Sequence, residues 1–205
     1  MMTVKLAIVY YSSTGTNYQL AKWAADGALE AGADVTIYKV QETAPQTVID
    51  GNPAWKAHVE ATKDIPVITP ADIENSDAII FSTPTRFGNM AAQMKQFLDT
   101  TGGIWFHGKT VNKVVSAMTS AQNSHGGQEA TILSLYTSMY HWGAIVVAPG
   151  YTDASLFAAG GNPYGTSVSV DQNNEIVGDK ETFKKAIVHQ ARRVVSIADM
   201  VKKGQ

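Results

Sequence analysis

Residues 12–17 are Ser12, Ser13, Thr14, Gly15, Thr16 and Asn17, within the stretch YYSSTGTN, and no lysine or arginine stands among them. Such a set wraps an anion with hydroxyls and backbone amides. An apolar run precedes it and a helical pattern follows, which puts it at a helix N-terminus, where unpaired amides and the helix dipole favour negative charge. The same residues would also make a serine-threonine cap, and the stretch alone leaves both readings open. A Walker loop is excluded because Gly15 is followed by Thr16 with no glycine-lysine pair, and the pattern GxGxxG is absent too. A phosphate monoester fits best, since one dianion can be satisfied by several amides and hydroxyls without a buried lysine.

Two further clusters carry chemistry. STPTRFGNM, residues 82–90, sets Pro84, Thr85, Arg86, Phe87, Gly88 and Asn89 just after an apolar run. Phe87 offers a face for a flat ring, and Gly88 lets backbone pass close to a ligand. TSAQNSHGGQE, residues 119–129, combines Thr119, Ser120, Ala121, Gln122 and Asn123 with Gly126 and its neighbour Gly127. Its backbone donors suit the edge of a heterocycle. Trp105 in TGGIWFHGK and His141 in YHWG complete the set. Each residue also has a plain alternative: a surface charge for Arg86, core or interface for Trp105, a structural hydrogen bond for His141. Five histidines without ligand spacing argue against a metal site.

The elements that must position these residues follow from hydrophobic periodicity. Apolar runs rich in valine and isoleucine at residues 6–11, 35–40, 78–81, 114–118 and 145–148 predict strands buried on both faces. Helical spacing appears at 17–31, 93–100, 128–140 and 181–202, and Thr69, Pro70 and Asp72 predict a capped helix start. Alternating strands and helices imply an α/β fold with a parallel sheet, and five strands suit the flavodoxin-like order 2-1-3-4-5, whose ligand lies beyond the carboxyl ends of the strands near the order reversal. Residues 41–67, with a possible helix at 54–62, and 151–174 fit no minimal plan and read as elaborated loops.

With 205 residues the chain is expected to form one domain, 1–205. Its 44% hydrophobic and 17% charged composition is that of an ordinary globular protein. A net charge of −2 gives no general attraction to nucleic acid or anionic membranes. No apolar run reaches the roughly 20 residues of a membrane span, and the N-terminal run is shorter than a secretory core of about 7–15. The expectation is a cytoplasmic protein. There are no cysteines, so redox chemistry would have to come from a cofactor.

Together, YYSSTGTN, DAIIFSTPTRFGNMAAQMKQFLDTTGGIW and GGQE closely resemble the WrbA-like NAD(P)H:quinone oxidoreductases of the flavodoxin superfamily, also once labelled Trp-repressor-binding proteins. The resemblance covers nearly the whole chain. It implies a three-layer sandwich holding FMN non-covalently: residues 12–17 at its phosphate, Thr85, Arg86 and Phe87 along the isoalloxazine, and residues 119–123 with Gly126 around ribityl and ring. It further implies His141 approaching from a neighbouring subunit, Trp105 facing substrate, and a homotetramer with FMN sites at subunit junctions. The implied reaction is ping-pong, two-electron reduction of quinones by NADH or NADPH, with no side chain an obvious general acid. Thr14 and Thr16 stand where other members carry an aromatic and a histidine, and TSAQNSHGG departs from a shorter STGTGGG pattern. The alternatives are a flavodoxin-type electron carrier, which the small net charge does not favour, a Trp-repressor-associated accessory protein, and a flavin-dependent azo or nitro reductase.

Overall fold

The computed structural model describes residues 3–204. Strand β1 (Lys5–Tyr10) lies at the centre of a parallel sheet, between β2 (Asp34–Lys39) and β3 (Ala78–Arg86); β5 (Val114–Ala121) and β6 (Ile145–Val146) follow, giving the order β2-β1-β3-β5-β6. Counting these five alone, this is the expected order 2-1-3-4-5. Two short strands enlarge the five-stranded plan to seven: β4 (Asn89–Met90) pairs with β3, and β7 (Ser167–Ser169) pairs with β5.

Period-two alternation sends the side chains of each strand to two cores. Leu6, Ile8 and Tyr10 of β1, with Ile80 of β3 and Met118 of β5, pack against α1 (Thr16–Glu30) and α9 (Lys180–Lys203). Ala7, Val9, Ile79 and Phe81 face the other way, onto α4 (Pro70–Asn75), α5 (Ala92–Thr100) and α7 (Gln128–His141). This is a three-layer sandwich. Ile79 and Ile80 are completely buried, on opposite faces, and each side chain of this kind contributes about 1.5–3 kcal/mol by leaving water. At α4 the Thr69 side chain accepts from the Asp72 amide and the Asp72 side chain accepts from the Thr69 amide, so the expected cap is a full capping box.

Two strands run further than hydropathy alone suggests. β3 continues past Phe81 to Arg86 and β5 past Met118 to Ala121, paired as far as Pro84 opposite Ser120. Polar residues can continue a buried strand here because their hydroxyls are satisfied: Thr119 Oγ1 donates to the Thr83 carbonyl at 2.6 Å and Ser82 Oγ to the Asn17 carbonyl at 3.0 Å. Conversely, β6 is limited to Ile145 and Val146, shorter than the 145–148 run, and β7 takes the position beside the far end of β5. The elaborated segments are ordered as well. Residues 41–67 contain α2 (Gln46–Asp50) and α3 (Pro53–Ala61), the latter where a helix was expected, and residues 151–174 contain α8 (Ala154–Ala158) and β7. Between α5 and β5 lies α6 (Gly102–Phe106).

Candidate functional site

A cleft of about 590 Å³ opens beyond the carboxyl ends of β1, β3 and β5, within the usual range for small-molecule sites of about 300–1,000 Å³. This is where an open α/β sheet places its ligand. Three of its walls come from strand ends: Ser12, Ser13, Thr14, Thr16 and Asn17 after β1; Pro84, Thr85, Arg86 and Phe87 at the end of β3; Ser120, Ala121, Gln122, Asn123 and Gly126 at and beyond the end of β5.

The first wall is a tight turn into α1. Gly15, at φ +102°, is the residue before the helix, and its N–H donates to Ser12 Oγ at 2.9 Å. The first backbone bond of the helix runs from the Gln19 amide to the Gly15 carbonyl, so the amides of Thr16, Asn17 and Tyr18 have no acceptor earlier in the helix. No acidic residue occupies the first turn. Asn17 is buried and fixes this loop to the other walls: its Nδ2 donates to Ser120 Oγ at 2.7 Å, while Ser82 Oγ donates to its Oδ1 at 3.2 Å.

The second wall ends in a two-residue hairpin turn. Thr85 pairs with Met90 and Arg86 with Asn89, and Phe87 and Gly88 between them have φ of +53° and +75°, as a primed turn between twisted strands requires. The turn holds Phe87 fully in solvent. Arg86 donates from Nη2 to Ser13 Oγ at 3.4 Å and is the one charged residue of the lining among the described residues. Among the described residues the cleft therefore carries a cation and a helix N-terminus and no carboxylate.

The third wall is a turn at the start of α7. The Asn123 carbonyl accepts from the Gly126 amide at 3.1 Å and from Gln128 Nε2 at 2.7 Å. Gly127, at φ +88°, lies against the hairpin, and a Cβ on it would stand 2.7 Å from Gly88 Cα. Thr85 Oγ1 and Thr131 Oγ1 join the two walls across 2.5 Å.

Two parts of the lining were missed in the sequence. Val170 and Asn174 come from the segment after β7, and Asn52 and Trp55 from α3 and its cap. Glu42 positions the latter: its carboxylate accepts from Trp55 Nε1 at 3.1 Å, Gln93 Nε2 at 3.0 Å, the Tyr11 hydroxyl at 3.2 Å, and the amides of Thr43 and Ala44 at 2.8 and 2.9 Å. Burial pushes the Tyr11 hydroxyl up to about 12, against the pull of its Ser13 bond, and Glu42 adds to the rise, so Tyr11 remains a donor at neutral pH. A glutamate two residues after the apolar run 35–40 has no local signature; only the juxtaposition of β2, α3 and α5 reveals it.

Several anticipated residues stand outside the lining. Gly15 shapes the first turn, Gly88 the hairpin, and Asn89 ties the hairpin to α7 by accepting from Ser134 Oγ at 2.9 Å. Thr119 is buried, bonded to Thr83. Trp105 and His141 lie together elsewhere, in a shallow hollow of about 280 Å³, with Trp105 Nε1 donating to the His141 carbonyl at 2.7 Å. Among the described residues no helix is long and apolar enough to cross a membrane, and no group of three or more His, Asp or Glu could hold a metal ion.

Comparison with known proteins identifies relatives along nearly the whole chain. The chain is 54% identical over 194 residues to a Deinococcus radiodurans protein named NAD(P)H dehydrogenase (quinone), covering 95% of each chain. It is 42% identical over 200 residues to a Geotalea uraniireducens protein of the same name, covering 95% of this chain and 98% of that one. Among solved structures, a flavodoxin, WrbA-like protein from Agrobacterium tumefaciens superposes with a TM-score of 0.64 at 22% identity, covering 97% of this chain and 99% of that chain, a likeness of fold. The profile described as NADPH-dependent FMN reductase matches residues 4–157. With a cleft at the strand ends, a helix N-terminus at one side of it and relatives aligned along its length, the chain belongs to the NADPH-dependent FMN reductase family.

Proposed function

We propose that this protein is an FMN-dependent NAD(P)H:quinone oxidoreductase that reduces quinones to hydroquinones by two electrons in a ping-pong cycle. One observation carries the reading: the cleft holds unpaired helix amides, hydroxyls and Arg86 with no carboxylate among the described residues, and Phe87 and the 120–126 turn line it further on. These residues fit FMN. The α1 N-terminus with Ser13, Thr14 and Thr16 would take the phosphate dianion, for which amides and hydroxyls supply donors. Pro84, Thr85, Arg86 and Phe87 would line the ring, and Ser120, Ala121, Gln122, Asn123 and Gly126 would follow the ribityl chain and ring edge. When bound, FMN would supply two-electron chemistry, hydride acceptance from the nicotinamide and reduction of the quinone.

The chain's own contribution is orientation and electrostatics. Arg86 favours negative charge on whatever ring edge faces it, and Asn17, bonded to Ser82 and Ser120, holds the phosphate loop at a fixed distance from the ring walls. Trp105 and His141 would serve from a neighbouring subunit in a homotetramer; exposed Trp105, Phe106 and Tyr140 around them support an assembly that covers this patch. A reduced nicotinamide donor suits the cytoplasm as the place of action.

The test is spectroscopic. The FMN-loaded protein under nitrogen should lose its flavin absorbance on adding NADH or NADPH and regain it on adding benzoquinone, with no partner protein present. Bleaching that requires an added reductase would replace this reading with that of an electron carrier.

A further inference from the structure

Resting on the oxidoreductase reading, we propose that Asn52 and Trp55 form a subsite for the adenosine half of the nicotinamide dinucleotide. Both line the cleft, and both come from the segment that follows β2. In the sheet β2 lies outside β1, away from β3 and β5, so this segment reaches the cleft from the side opposite the 120–126 turn. The Ser12–Thr14 hydroxyls and Arg86 lie between the two sides. A flavin held by the three strand ends occupies the β1, β3 and β5 side. A quinone is a single small ring system. Of the reactants, only the dinucleotide has two flat rings joined by a pyrophosphate, long enough to lie on both sides of the first loop.

The chemistry of the two residues suits a purine. Trp55 is half-buried, and its indole N–H is committed to Glu42 at 3.1 Å, which fixes the ring while leaving a face on the cleft. A pre-set aromatic face stacks on a base at little entropic cost. Asn52 Oδ1 accepts from the Ala54 and Trp55 amides at 3.1 Å each, so its role as helix cap directs the amide nitrogen away from the helix, with no partner among the described residues. That donor is available to a ring nitrogen of the base.

The experiment uses the FMN-loaded protein, its Trp55→Ala and Trp55→Phe variants, and two kinds of donor: NADH and NADPH, and reduced nicotinamide mononucleotide, which lacks the adenosine half. The KM for the dinucleotides should rise about tenfold or more in Trp55→Ala and by clearly less in Trp55→Phe, which keeps a stacking ring and loses only the Nε1 bond to Glu42. The KM for the mononucleotide and the dissociation constant of FMN should not change. An equal rise for both kinds of donor, or weakened FMN binding with an unchanged dinucleotide KM, would overturn the subsite. A binding readout stands apart from turnover: ADP titrated onto the parent protein should quench indole fluorescence and compete with the dinucleotide, and the quench should vanish in Trp55→Ala. Failure of ADP to bind the parent also overturns the proposal. If the parent oxidises no donor, the oxidoreductase reading falls, and the ADP titration still decides the role of Trp55.

Discussion

The walls of the cleft are held in two different ways. The three strand-end walls are extensions of the parallel ladder, with β3 and β5 paired up to Pro84 and Ser120, and they are cross-tied by Asn17, Thr85 and Thr131. The Asn52 and Trp55 wall stands on a short helix tied to the site by the Glu42 carboxylate at Trp55 and by His58 packing on Tyr10 and Tyr18. Backbone pairing spreads the cost of one lost side chain over many bonds. A wall gathered by a few side-chain contacts has less reserve, so the two should fail differently: the first together with the fold, the second on its own.

The largest effect is expected at Gly127→Ala. Its left-handed backbone alone costs a non-glycine residue about 1–3 kcal/mol, and the new Cβ would meet Gly88 Cα at 2.7 Å, forcing the hairpin off α7. Urea denaturation should show a loss above about 2 kcal/mol, and fluorescence titration should show FMN binding weakened by more than about tenfold. Native stability with native FMN affinity would break the idea that these walls share their strength with the fold. Asn17→Ala comes next. It leaves the buried Ser120 hydroxyl without its partner, while Ser82 keeps the Asn17 carbonyl and loses only the side-chain acceptor, a cost of about 1–3 kcal/mol, with weaker FMN binding alongside.

Glu42→Ala sharpens the contrast. It frees Trp55, Gln93 and the Tyr11 hydroxyl in a partly exposed setting, so stability should fall by no more than about 1–2 kcal/mol. FMN affinity should stay within about twofold of the parent, while the KM for NADH or NADPH rises. A loss of FMN binding as large as that of Asn17→Ala would show that the two walls are not separable.

The smallest effect is expected from pH. His58, on the same helix, packs on Tyr10 and Tyr18, and burial, then the Lys39 charge, lower its pKa from 6.5, with Glu42 opposing. Below pH 6.5 the unfolded chain takes up a proton that the folded chain does not, so stability falls as the pH drops from 6.5 toward the lower folded value and is flat above it. Thermal unfolding of parent and His58→Gln between pH 7.5 and 5.5 should show the parent losing more on acidification. Parallel curves would remove His58 as the cause.

The parallel order was legible because buried valine and isoleucine runs alternate with amphipathic helices, and residues 12–17 were legible because hydroxyls and a glycine sit between the two. Strand ends were harder. Ser82, Thr83, Thr119 and Ser120 look like loop in hydropathy and become strand only when the partner carbonyls and hydroxyls are in place. The α3 wall was least legible, because Glu42, Trp55 and Gln93 lie up to 51 residues apart and share no periodicity.

One consequence concerns the edge of the sheet. β6 covers only Val114 and Val115 of β5, and β7 covers Thr119 to Ala121. β7 therefore shields backbone groups that would otherwise offer a template for strand addition, right beside the cleft. A substitution that unpairs β7 from β5, such as Val168→Pro, should loosen the third wall and give a tendency to self-associate through the same exposed backbone. In this fold, resistance to aggregation and the integrity of the ligand site depend on the same three residues of strand.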